Sequence, residues 1–317
     1  MNYCKCDDFS KLGAGQINNL LNETLEMDLK YRSKLSMSSK VLFGTEIEFI
    51  LPEKKEKDIR SYIKNECNNY GIEIEPACYG FEETYVPLEI KTPKLTNKNM
   101  NLLELKNVFE YLYNNKAKIN LYSSNHIHYD IKVLKDKYKY YERFLKFFTI
   151  YEPIIYIFSC GELNYLRNKI NTYAKEIGKD YKICDKYDKY KNIKKLKTKY
   201  GLKEHAIRFS AFNTIEIRTP MGTLNPAINQ NYILFFYKIF EYITSNRYDE
   251  RLINDKFNKL NRPSILTEYK NINISEVLEL CDLLYDNNLD KIYFLKQCLK
   301  LYSNNDYKYT TLKHTIK

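Results

Sequence analysis

Residues 41–51, VLFGTEIEFIL, alternate apolar and polar side chains with a period of two. In a strand, positions i and i+2 share a face. Val41, Phe43, Thr45, Ile47, Phe49 and Leu51 therefore lie on one side, and Glu46 and Glu48 on the other. The same division recurs three times. Val86, Leu88 and Ile90 oppose Glu89; Ile127, Tyr129 and Ile131 oppose His126, His128 and Asp130; Ile215 and Ile217 oppose Glu216 and Arg218. Four such strands predict an antiparallel sheet with helices on one face and the other face open, an α+β fold.

A solvated face would also give apolar-in, polar-out alternation. Residue identity argues against that for the set. Lysine and asparagine dominate the polar residues, and the formal charge is +11, yet the open faces collect Glu46, Glu48, Glu89, His126, His128, Glu216 and Arg218. Two of the four histidines fall within three residues. Lys91 and Asp130 alone read as ordinary surface residues.

Carboxylates two apart on a strand stand roughly 6–7 Å from each other, and further acids on neighbouring strands repel them in a cleft of reduced dielectric. A cation must offset this. Acids mixed with imidazoles and an arginine suit Mg²⁺ or Mn²⁺ held between carboxylates and phosphates. Structural zinc favours cysteine, and catalytic zinc favours three close ligands with histidine prominent.

The remaining chain is read more coarsely. Residues 1–40 form an N-terminal extension with a helix in QINNLLNETLEMDLKY; residues 41–245 form the central domain; residues 246–317 form a mostly helical C-terminal region. Ile59, Tyr62, Ile63 and Cys67 have helical spacing, with Gly71 as a stop. Helices are also expected over 98–116, 139–158 and 226–245. Tyr111, Tyr113, Tyr151 and Tyr156 read as packing residues. Residues 174–204 alternate lysine with tyrosine without a clean period and read as a charged insertion or lid.

The eight cysteines form no regular framework and read as reduced thiols, the Cys4–Cys6 pair included. The start of the chain lacks a signal-peptide pattern, and no apolar run approaches the roughly 20 residues of a membrane span, so a cytoplasmic protein is expected. The scattered lysines disfavour nucleic acid as a partner. His205 reads as structural and His314 as part of a tail.

FGTEIEF at 43–49, PLEIKTPKL at 87–95, AKINLYSSNHIHYDI at 117–131 and IRFSAFNTIEIRTPMGTLNP at 207–226 together resemble the amidoligase family. That family belongs with glutamine synthetase and glutamate-cysteine ligase, which are ATP-dependent carboxylate-amine ligases. The resemblance implies a glutamine synthetase-like sheet carrying its site on the open face, ATP and Mg²⁺ (or Mn²⁺) as cofactors, and carboxylate and amine substrates that are small molecules or peptides. It implies one metal held by Glu46, His126 and Glu216, and a second at Glu48 and Glu89. His128 would face the phosphates or the acyl acceptor, Arg218 the transferring γ-phosphoryl group, and Arg167 the substrate. Arg218, His128 and Glu48 would be catalytic. Asn213 matches the asparagine before the Glu-x-Arg strand.

Two departures stand out. Ser124 and Asn125 replace the small or Cys-Gly residues before the His-x-His, and no Asp-Gly-Ser-like element is evident in IEIEPACYGFEETY. A metal-dependent phosphotransferase or phosphohydrolase using the same acids, and a basic nucleic-acid-binding protein without catalysis, remain the alternative readings.

Overall fold

The computed structural model describes residues 8–76, 84–162, 174–178, 193–210, 212–260 and 273–299. Its centre is a six-stranded sheet of β1 (Phe43–Pro52), β2 (Gly71–Ile74), β3 (Tyr85–Lys91), β4 (Asn125–Asp130), β5 (Ile207–Phe209) and β6 (Thr214–Ile217). The order is β2-β3-β1-β4-β6-β5, and every neighbouring pair is antiparallel. The fold is therefore α+β, as the alternation predicts.

The apolar set of each strand faces helices. Phe43, Ile47, Phe49, Leu88, Ile90, Ile127, Tyr129, Ile215 and Ile217 are all buried. The helix behind the sheet centre is α6, Pro226–Thr244, numbered after α1 (Ala14–Glu26), α2 (Glu56–Glu66), α3 (Asn99–Asn114), α4 (Tyr138–Phe158) and α5 (Ile193–Lys199). Asn225 starts α6 by accepting from the Ala227 and Ile228 amides, with Pro226 preset for the first helical position. The Tyr129 hydroxyl donates to the Ile233 carbonyl, and its ring meets Phe240 edge-on at 5.2 Å. Asn229 donates to Thr45 Oγ1 at 3.4 Å, which explains a threonine in an otherwise apolar row.

Every residue of α4 from Phe147 to Phe158 is buried. A helix apolar all round must be enclosed on all sides. It lies among α6, α7 (Glu250–Lys259) and α9 (Asn288–Cys298). With α8 (Ile274–Leu284) and α1, these make a second helical layer. Segments far apart in the sequence meet there: the Phe9 amide donates to Asp282 Oδ1 at 2.9 Å, and Arg32 pairs with buried Asp290. No helix among the described residues is long and apolar enough to cross a membrane.

Several local expectations change. The left-handed turn after α2 is made by Asn69, at φ 61°, while Gly71 opens β2 opposite Lys91. An asparagine tolerates that conformation through its short polar side chain, so glycine was not needed. Tyr151 and Tyr156 are core residues and Tyr111, stacked on Tyr62 at 3.8 Å, packs against the core, but Tyr113 is exposed. Cys67, Cys160, Cys281 and Cys298 are buried free thiols. Cys4, Cys6, residues 179–192 of the 174–204 insertion and His314 lie outside the described residues.

Candidate metal centre on the open sheet face

Register lines the polar residues up across the sheet in three rungs. Glu73, Glu89 and Glu48 sit side by side on β2, β3 and β1. Lys91, Glu46 and His126 form the next row, on β3, β1 and β4. His128, Glu216 and Arg208 form the third, on β4, β6 and β5. A pleat that buries the apolar positions leaves these side chains no other direction.

They line one cleft of about 1220 Å³, which takes in Glu46, Glu48, Glu89, His126, His128, Glu216 and Arg218. The seven come from four strands far apart in the chain, Arg218 directly after β6, and all but Glu46 and His128 are buried. Arg167 lies outside the described residues.

The contacts are close. His126 Nδ1 is 3.0 Å from Glu46 Oε2 and 3.9 Å from Glu216 Oε1. His128 Nε2 stands 3.4 Å from Glu46 Oε1 without hydrogen-bond geometry. Arg218 and Arg208 grip opposite oxygens of Glu216, Arg208 at 2.9 Å. Lys91 Nζ is 3.0 Å from Glu89 Oε2 and also pairs with Glu73.

Burial and charge act differently along this row. Burial alone would raise the Glu46 carboxyl, but His126 and His128 beside it outweigh that and hold it far below the ordinary carboxylate range. Glu216 is lowered against its own burial by His126, Arg218 and His128. Glu89 is pushed up to about 9, first by burial and then by the charge of Glu46, which Lys91 only partly offsets. The acids on β1 and β3 thus outnumber their cations.

Ligand atoms gather within 4.8 Å of one another in three overlapping groups: Glu46, His128 and Glu216; Glu46, Glu89 and His126; Glu48, Glu75 and Glu89. The donor set is carboxylate-rich with imidazole and without thiolate, which suits a hard divalent cation. His128 Nε2 and Arg218 Nε are buried without a hydrogen-bond partner among the described residues. A buried polar atom aimed into an acid cleft with no partner is what a site for a charged ligand requires. The residues fit a divalent metal.

Four contributors escape the strand-by-strand reading. Glu73 and Glu75 continue the same alternation in IEIEP, and that signal was available. Arg208 sits one strand from Glu216 and shows no signal of its own. Lys91, read as a surface residue, is a counter-ion inside the acid row, because β2 brings Glu73 beside it.

The loops before β4 and after β6 hold this face in place. The Gly222 amide donates to the Ser123 carbonyl at 2.8 Å, and a Cβ on Gly222 would lie 2.7 Å from that of Ser123. Only glycine permits so close a crossing. The Thr223 carbonyl accepts from the Asn125 side chain at 3.2 Å. Gly222 and Thr223 therefore fix the approach to β4. Asn213, at φ 57°, makes the left-handed turn between β5 and β6.

A family model described as "Putative amidoligase enzyme" matches residues 24–239, a span that contains all six strands. No curated protein sequence matches the chain. Family and acid-histidine groups together support metal-dependent catalysis. With more than half of its 317 residues inside that match, the chain belongs to the amidoligase enzyme family.

Proposed function

We propose that this protein is an ATP- and Mg²⁺-dependent carboxylate-amine ligase with a glutamine synthetase-like catalytic domain. The observation that carries the reading is the convergence of four glutamates, two histidines and Arg218 from four strands on one cleft, in a chain of the amidoligase family.

Glu46, His126 and Glu216 would hold one divalent ion, with His126 Nδ1 3.0 Å from Glu46 and 3.9 Å from Glu216; His128, which gathers with Glu46 and Glu216, would join it, and Glu48, Glu89 and Glu75 would hold a second. Such ions supply positive charge where phosphate and carboxylate oxygens meet. The chain's own residues do the rest. Arg218 offers a planar fork of donors to the γ-phosphoryl oxygens while Glu216 fixes its orientation. Arg208 holds the other Glu216 oxygen, so that carboxylate cannot swing away. His128, with Nε2 turned into the cleft, hydrogen-bonds the phosphates or the acceptor.

A substrate carboxylate oxygen then attacks the γ-phosphorus, ADP leaves, and an acyl phosphate forms. An amine attacks the acyl carbon, phosphate departs, and the amine's proton passes to solvent or phosphate. No side-chain nucleophile is required. The chemistry favours a cleft of this size, wide enough for a nucleotide beside a second substrate.

The test is release of ADP and phosphate from ATP and Mg²⁺ across panels of carboxylates and amines. Release that needs both substrates supports ligation. Release without an amine moves the function to phosphoryl transfer or hydrolysis, and none under any combination removes the reading.

A further inference from the structure

Ser124 is a site residue that neither the strand alternation nor the candidate ligand groups single out. It is fully buried, one residue before β4, and it touches two proposed ligands at once. Its amide donates to Glu48 Oε2 at 2.8 Å, while its carbonyl accepts from the Glu48 amide at 3.0 Å. Its hydroxyl lies 2.8 Å from His126 Nε2. The opposite ring nitrogen, Nδ1, is the one beside Glu46 and Glu216.

The hydroxyl is anchored by its backbone. Ser124 pairs with Met221 as an antiparallel bridge, and the adjoining Ser123–Gly222 crossing leaves no room for a Cβ. The Met221 amide is in turn tied to the Ser159 carbonyl at 2.9 Å. The Ser124 Cα is thus held by loops from two other parts of the chain. A hydroxyl can donate or accept, so it serves Nε2 in either tautomer of the ring.

We propose that Ser124 is a positioning residue for the metal centre: its hydroxyl, held against Nε2, fixes the His126 ring so that Nδ1 rather than Cδ2 faces Glu46 and Glu216. Outer hydrogen-bond partners of ligating histidines fix ring orientation, and their loss typically weakens metal binding about 10–100-fold. Without this hydroxyl the imidazole can turn about its Cβ–Cγ bond and present carbon to Glu46. The Glu48 contact is made by the Ser124 backbone and survives the change. The proposal rests on the metal reading of the cleft.

The experiment is Mn²⁺ titration of the full-length chain without nucleotide, followed by electron paramagnetic resonance, with ¹⁵N NMR of the histidine rings in the metal-free protein. Ser124→Ala should weaken Mn²⁺ binding about tenfold or more and shift the His126 ring nitrogens. Ser123→Ala, one residue away and equally buried, whose hydroxyl meets Asn120, should do neither. Should the alanine variant not fold, Ser124→Cys keeps a weaker hydrogen-bonding group and should fall between it and wild type. Wild-type uptake of Mn²⁺ with unchanged binding and ring resonances in the Ser124 variants overturns the proposal alone. No uptake by wild type overturns the metal reading and the proposal with it.

Discussion

The two halves of the open face solve the problem of buried charge in opposite ways. On the side of β4, β6 and β5, the cleft acids meet cations and imidazoles of the same protein: Glu216 lies between Arg218 and Arg208, and His126 and His128 of β4 flank Glu46 where β1 borders it. Burial would raise these carboxyls, and the neighbouring cations and imidazoles bring both down. On β1, β3 and β2, Glu48, Glu75 and Glu89 crowd together with Lys91 as the ammonium beside Glu89, and Glu89 is pushed up to about 9. One half is balanced by side chains; the other is balanced only when a proton or a metal ion arrives. The proposed ligase, which would bind a cation and then face polyanionic phosphate, needs both kinds of half.

The sharpest break of this comparison is functional. Arg218→Ala removes the cation proposed to meet the γ-phosphoryl group, and ATP turnover should fall about 1000-fold, with circular dichroism unchanged. Glu48→Gln should have the same effect from the other half. Unchanged turnover in both would remove the catalytic assignment.

Stability separates the halves next. Glu216→Ala strands Arg218, which is buried, and should cost about 3 kcal/mol in urea unfolding. Burial and Glu46 push the Glu89 carboxyl up to about 9, so in the metal-free protein Glu89→Gln should lose little at pH 6 and gain at pH 9. A loss from Glu89→Gln as large as that from Glu216→Ala would mean that the halves do not differ.

A smaller effect is pH dependence. The folded-state value of Glu89 is raised, to about 9, above its ordinary 4.5. Its contribution is fully present below the unfolded value and is lost as pH rises through the folded one. Metal-free stability should therefore decline between pH 5 and 9, and Glu89→Gln or added Mg²⁺ should flatten that decline. Glu46 and Glu216, held low, contribute in the opposite sense and lose their contribution as pH falls below 4.5. Stability rising from pH 5 to 9 would contradict the assignment.

The smallest effect belongs to Lys91→Met. Its ammonium is partly exposed, so solvent screens the pair and less than about 1 kcal/mol of stability should be lost. The informative readout is Mg²⁺ binding, which should tighten once the tethered cation no longer competes for Glu89. Weaker Mg²⁺ binding would give Lys91 a supporting role instead.

Much of this was legible in the chain. Phe43, Ile47 and Phe49 could be buried only on one face, and the pleat then fixed the direction of Glu46 and Glu48. The same reasoning reached Glu89, His126, His128, Glu216 and Arg218 strand by strand. It did not reach Lys91, because lysine is common over the whole chain and its partner Glu73 arrives from another strand. Ser124 looked like a departure before the His-x-His, since a serine gives no sign of what its hydroxyl meets.

By itself, then, the sequence determined which side of each strand carries charge, because side-chain direction follows from local backbone geometry and from the cost of exposing apolar surface. Strand order and register decided which charges became neighbours. Those are set by contacts between segments far apart in the chain: β1 packs between β3 and β4, and β6 reaches β4 about 90 residues later. Coulomb interactions between charges near solvent are largely screened beyond about 8–10 Å. The difference between a balanced half and an acid-rich half therefore exists only once the sheet has formed.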